Sequence, residues 1–146
     1  MRIYLDNCCF NRPYDDQSQV RIRLEAEAKL AIQEKVKSGE IELVWSYMLD
    51  FENAANPFEE RKENIAEWKD LASQNVSESP ELLACANGLQ KLGLRSKDCL
   101  HLASSIVSES DFFLTTDDGI LAKSSDIDEV KVLNPVDFVV ENYHGD

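Results

Sequence analysis

The sequence has no long apolar run; none approaches the roughly 18 residues of a membrane span. Nor does it open like a secretory leader, because Arg2 is followed only by Ile3, Tyr4 and Leu5 before Asp6 interrupts the run. The expected setting is therefore the cytoplasm, without membrane attachment and with reduced thiols. The four cysteines, Cys8, Cys9, Cys85 and Cys99, include no Cys-x-x-Cys pair, and the two histidines, His101 and His144, lie far apart. A zinc cluster calls for closer ligand spacing, so most of the thiols are expected to act as small buried hydrophobes. Repeats, low-complexity tracts and linkers are also missing. Basic residues are scarce, 15 against 28 acids, for a net charge of −13. A general nucleic-acid binder carries a basic face, so that class is disfavoured, although a small local basic rim is compatible with the count. Taking four acids away would still leave −9, so most of the surplus must be solvated surface.

A chain of 146 residues, 43% hydrophobic and 29% charged, suits one domain over 1–146 with one sizeable core. Its elements alternate as expected for a parallel sheet with helices on both faces. Ile3 to Leu5 reads as the first strand. Asp16 with Gln19 resembles a capping box, and Val20, Leu24, Ala28, Ile32 and Val36 form the expected buried stripe of a long helix ended by Gly39. Ile41 to Trp45 reads as a second strand, followed by a short helix from Tyr47 to about Asn56 capped by Ser46. Pro57 opens a further helix with Phe58, Ile65, Trp68 and Leu71 on its apolar side. Val76 is a very short strand. Ser79-Pro80-Glu81 starts a helix that buries Leu82, Leu83, Ala86 and Leu89 and stops at Gly93. Ser96 caps a helix from Lys97 to about Ser108, Phe112 to Thr115 and Val130 to Leu133 are strands, and Pro135 opens the terminal helix.

Acids recur where these strands stop. Asp6 and Asp117 each end an apolar strand, Glu52 follows the second strand on a helix that also carries Asp50, and Asp98 sits in the first turn of its helix, where the dipole favours it. In a parallel sheet such positions share one rim, the carboxyl edge of the strands. Each also has an ordinary explanation: a turn at Asp6, a helix-start acid at Asp98, a turn at Asp117-Asp118-Gly119, a solvated helix acid at Asp50. Together they would repel one another unless protons or a cation relieved them. All-oxygen ligation selects Mg²⁺ or Mn²⁺, and such an ion supports hydrolytic attack on a phosphodiester.

Four motifs carry a resemblance. They are Ile3-Tyr4-Leu5-Asp6; Ser46 with Glu52 six residues on; Asp98-Cys99-Leu100-His101-Leu102-Ala103; and Phe113-Leu114-Thr115-Thr116-Asp117. In this order, over Met1 to about Leu121, the chain resembles a PIN domain, the nuclease fold of the VapC-type toxins and of several RNA-processing enzymes. The third and fourth motifs are close to the family's Asp-Ala-x-x-Ala helix start and Thr-x-Asp strand end. The resemblance implies a three-layer α/β fold and an acidic metal pocket made by Asp6, Glu52, Asp98 and Asp117. It further implies metal-dependent endonucleolytic cleavage of RNA, with Thr115 organising the Asp117 strand end and Asp118 as an auxiliary acid. Arg12, Arg95 and Lys97 are the bases placed near the rim for phosphate contacts. His101, one turn beyond Asp98, is expected to hydrogen-bond within the core. A toxin–antitoxin setting would add an antitoxin partner, and a homodimer is the expected assembly.

Two features depart from the pattern. Cys8 stands where the family often has Ser, Thr or Asn, and a thiol is a poor ligand for Mg²⁺. The acidic surface opposes phosphate binding. Both motivate a rival reading, a PIN-like RNA- or protein-binding module with little cleavage activity. An aspartyl-phosphate phosphatase is rejected, because Cys8 occupies the place of its second acid.

Overall fold

The computed structural model of the protein describes residues 1–143; His144 lies outside the described residues. Five parallel strands form one sheet in the order β3-β2-β1-β4-β5: β1 (Arg2–Leu5), β2 (Glu42–Ser46), β3 (Gln74–Val76), β4 (Phe112–Leu114) and β5 (Lys131–Leu133). The central strands read as unbroken apolar runs because both faces are covered, as parallel sheets require. Ile3, Tyr4, Leu5, Leu43, Val44, Trp45, Phe113 and Leu114 are all buried. Each large apolar side chain so buried contributes about 1.5–3 kcal/mol.

The helices are α1 (Asn7–Asn11), α2 (Val20–Lys37), α3 (Tyr47–Ala54), α4 (Glu59–Ala66), α5 (Pro80–Leu89), α6 (Ser96–Val107), α7 (Asp118–Leu121) and α8 (Pro135–Asn142). The chain runs outward from β1 through β2 to β3, then returns past β1 to β4 and on to β5. Right-handed crossovers therefore put α2 and α5–α6 on opposite faces. Consistent with this, α8 packs on α2, while α5 packs on α6. The point of reversal lies between β1 and β4, where open parallel sheets place their ligand sites. Register sets the site's floor: Leu5 pairs with Leu114, so Asp6 and Thr115 follow side by side.

Several expectations need correction. The stripe of α2 keeps Ala28, Ile32 and Val36, but Val20 and Leu24 are exposed and Glu25, Lys29 and Gln33 are buried instead. The capping box does not form: Asp16 accepts from Ser18, and Gln19, the N-terminal cap residue of α2, makes no side-chain cap bond. Helix α4 begins at Glu59, not at Pro57, and it leaves Phe58 exposed; Trp68 and Leu71 lie in the 3-10 turns of Glu67–Leu71. Leu83 faces solvent. Arg95 rather than Ser96 is the cap residue of α6. Ser46 and Ser79 cap as expected, each accepting from the backbone N–H three residues on. Gly39 and Gly93 hold the left-handed conformations (φ 83° and 81°) that end their helical segments.

Candidate functional site

Asp6 ends β1 and is buried, and its carboxylate is held on both oxygens. Thr115 Oγ1 donates to Oδ2 at 2.8 Å, and the Asn7 backbone N–H donates to Oδ1 at 2.9 Å. Burial raises the Asp6 carboxyl above its ordinary range, against the pull of His101 and Thr115. Thr115 is fully buried and serves two acids: its oxygen also accepts the Asp117 backbone N–H at 3.1 Å. Asp117 in turn caps α7, taking N–H bonds from Gly119 (2.8 Å) and Ile120 (3.3 Å) on Oδ1.

The other oxygen of Asp117 receives Arg95 Nη2 at 2.8 Å. The same guanidinium holds Asp98 through Nε at 2.9 Å and Nη2 at 3.3 Å. Arg95 thus bridges the acid at the start of α6 to the acid at the end of β4, while its own side chain is 72% exposed.

Glu52 reaches in from α3. His101 Nε2 binds its Oε1, Asn7 Nδ2 donates to Oε2 at 3.3 Å, and Lys97 Nζ stands 4.0 Å from Oε2. Burial would raise the Glu52 carboxyl, but the bond and charge of His101, with Lys97, carry it below its ordinary range. His101 also lies 3.9 Å from Asp6 Oδ1. Behind the ring, Tyr4 Oη bonds His101 Nδ1 at 2.6 Å and Ser46 Oγ at 2.6 Å. Burial holds the Tyr4 phenol well above its ordinary range, and its hydroxyl links the buried Ser46 to the back of the His101 ring. A continuous chain of hydrogen bonds therefore runs from the Leu49 N–H, which donates to Ser46, through Tyr4 and His101 to Glu52.

The four acids are therefore joined through shared partners: Asp6 to Asp117 by Thr115, Asp117 to Asp98 by Arg95, and Glu52 to Asp6 by His101. Lys97 sits at the edge of this group. Two other site candidates are not brought in. Arg12 donates to Asp15 (3.0 Å) and to the buried Glu25 (2.8 Å). Asp118 points outward and pairs with Arg21 at 2.8 Å. Asp50 is not simply solvated; it accepts from Trp45 Nε1 and Lys69 Nζ.

His101 and Tyr4 are the site residues that the sequence reading left in the core. Their link to Glu52 crosses 49 and 97 positions, which no local pattern reports. Cys8 is similarly integrated: its thiol lies 3.5 Å from both Asp6 Oδ2 and Thr115 Oγ1 and accepts the Thr116 N–H at 3.3 Å.

For a hard divalent cation the donor chemistry is right, since Asp6, Asp98, Asp117 and Glu52 offer only oxygens. Their present arrangement is not a ready-made grip: among the described residues, no three His, Cys, Asp or Glu side chains converge as a metal-holding group. The reason is visible in the contacts, because Arg95 stands between two of the donors and His101 holds a third.

No protein-family model matches the chain, and no curated protein does. Among solved structures, a chain from the crystal structure of VapBC2 from Rickettsia felis, bound to a DNA fragment from its promoter, superposes with a TM-score of 0.57. The match covers 92% of this chain and 98% of that one at 10% identity. At that identity the likeness speaks for the fold alone: this protein has a PIN-like α/β fold, a parallel five-stranded sheet between helical layers.

Proposed function

We propose that this protein is a metal-dependent endoribonuclease of PIN type, one domain over residues 1–146, and the toxin half of a toxin–antitoxin pair. The observation that carries the reading is the linkage of Asp6, Glu52, Asp98 and Asp117 at the carboxyl ends of β1, β2 and β4, with Thr115 and His101 fixing their side chains. These four acids would hold Mg²⁺ or Mn²⁺, and the ion when bound supplies a nucleophilic water and charge relief at the leaving oxygen. The chain's own contributions follow from the contacts. Thr115 keeps the Asp6 and Asp117 carboxylates side by side. The Ser46–Tyr4–His101 relay fixes the position of Glu52. Arg95 is tethered at the mouth by an exposed stem, so it can turn from Asp98 and Asp117 toward a phosphate, with Lys97 beside it. An antitoxin protein and a second copy of the chain are the proposed partners.

The test compares wild type with Asp6→Asn, prepared identically, on a mixed single-stranded RNA pool with Mn²⁺. Wild type is expected to cut, chelator to abolish cutting, and Asp6→Asn to slow it by at least about a hundredfold, a loss typical of removing a central electrostatic group. Equal cleavage by both proteins would refute the site. Cleavage by neither would favour a second reading, a PIN-like binding module, which the bridging of Asp98 and Asp117 by Arg95 also fits.

A further inference from the structure

A cleft of about 260 Å³ lies beside the acids, lined by Asn7 and Glu52 and running on to Asn53, Phe58 and Arg61. Its two carboxylates are already answered: Asp15 by Arg12 at 3.0 Å, Glu52 by His101 and Lys97. Arg61 is different. Its guanidinium lies 4.0 Å from the ring centroid of Phe58 and 5.0 Å from that of Tyr14, and it makes no ion pair among the described residues. Arg2, Arg12, Arg21 and Arg95 are all committed to carboxylates, and Arg23 does not line this cleft. A cation held by aromatic rings keeps its N–H edge free, and a planar guanidinium matches a phosphate in a two-point contact.

The aromatic half of the arrangement points the same way. Phe58 is 53% exposed and lines the polar cleft. The Asn56 carboxamide fixes its backbone by accepting the Phe58 N–H at 3.1 Å. On the cleft wall, Asn53 is buried, and its amide donates to the Lys62 carbonyl at 2.8 Å, tying α3 to the helix that carries Arg61. A base stacked on Phe58 would cover the exposed ring. Only an unpaired base can stack in this way.

We infer that Arg61 and Phe58 form a nucleotide subsite for single-stranded RNA beside the acids, with Arg61 gripping a backbone phosphate and Phe58 stacking a base. The inference rests on the ribonuclease reading and adds where the strand lies: it leaves the acids past Asn7 and Glu52 toward α4. Arg61 then supplies the local positive charge that the composition as a whole withholds.

The test uses the full chain carrying Asp6→Asn, kept in chelator so that the RNA stays intact, titrated with a short single-stranded RNA containing 2-aminopurine. Arg61→Ala is expected to weaken binding about tenfold and to reduce the salt dependence by about 0.7 in log–log slope, one phosphate's share on a single strand. Arg61→Lys should restore the slope but not the full affinity. Phe58→Ala should weaken binding about tenfold and abolish quenching of the 2-aminopurine signal. Should either alanine variant fail to fold, Arg61→Lys and Phe58→Leu put the same question. Unchanged affinity, slope and quenching in these variants would overturn the subsite and leave the ribonuclease reading standing. Absence of RNA binding by the parent, with no cutting by wild type, would overturn both together.

Discussion

Replacing Tyr4 by Phe removes one oxygen from the centre of the molecule and nothing else. The ring keeps its stack on Phe113, with centroids 5.4 Å apart and planes 8° from parallel. What disappears are two bonds of 2.6 Å, to Ser46 Oγ and His101 Nδ1. Both groups are buried, at 0% and 1% exposure, so water does not replace the lost hydroxyl. Ser46 keeps its bond from the Leu49 N–H, but His101 Nδ1 becomes a buried polar atom without a partner. An orphaned buried group costs about 1–3 kcal/mol, and the second bond adds about 0.5–1.5, so the net loss is about 1.5–4.5 kcal/mol. For a chain of this size that lowers the thermal midpoint by about 5–15 °C. The assay is a thermal melt followed by circular dichroism, extended to a double-mutant cycle with Ser46→Ala. Because Ser46 and Tyr4 share a bond, the two losses should fall short of additive by at least about 0.5 kcal/mol. A Tyr4→Phe midpoint within about 1 °C of wild type, or strict additivity, would show that the relay behind Glu52 does not stabilise the protein.

Two other substitutions test groups that the fold uses structurally. Arg12→Ala is expected to destabilise by about 1–3 kcal/mol, since it strips a donor from the buried Glu25 while Arg21 and Asn134 remain, and to leave the salt dependence of RNA binding unchanged; urea unfolding and anisotropy read the two effects, and a changed slope with unchanged stability would make Arg12 a phosphate contact after all. Lys29 is 4% exposed, and burial lowers its pKa to about 8. A lowered lysine stabilises the fold above its unfolded pKa of about 10.5 and loses that contribution as pH falls through about 8. Lys29→Met should therefore raise stability by about 1–3 kcal/mol at about pH 7 and by less at about pH 9.5 in urea unfolding, whereas equal gains at both would refute the burial argument.

The sequence makes the strand ends legible because β1, β2 and β4 are buried on both faces. Ile3 to Leu5 and Phe112 to Leu114 read as apolar runs, and the acid after each marks the rim. Ser46 and Ser79 are legible too, since a cap acts within three residues. Helix α2 is where the reading fails. Its inward positions include Glu25, Lys29 and Gln33, and Glu25 is accommodated by Arg12, Arg21 and Asn134, the last 109 residues away. A pattern that looks for apolar residues every fourth position selects Val20 and Leu24, which the fold leaves outside. His101 illustrates the same limit at the site: its neighbours in sequence suggest a core histidine, and only the packing of α6 beside β1 and α3 shows that it touches Glu52. Arg61 sits in a helix with few apolar residues, and the rings that hold it come from the segments preceding α2 and α4, so no local signal separates it from an ordinary surface base.

The commitment of Arg12, Arg21 and Arg95 to carboxylates also governs how fast anything anionic arrives. Ion-paired guanidinium groups project little field, so beyond a Debye length of about 8–10 Å the molecule presents itself as the polyanion its charge of −13 describes. Long-range steering then works against a nucleic acid instead of for it. Added salt should quicken capture by screening that repulsion, even as it loosens the short-range contacts once they form. Association and dissociation rates would both rise with ionic strength, a kinetic signature opposite to that of a protein with a basic face.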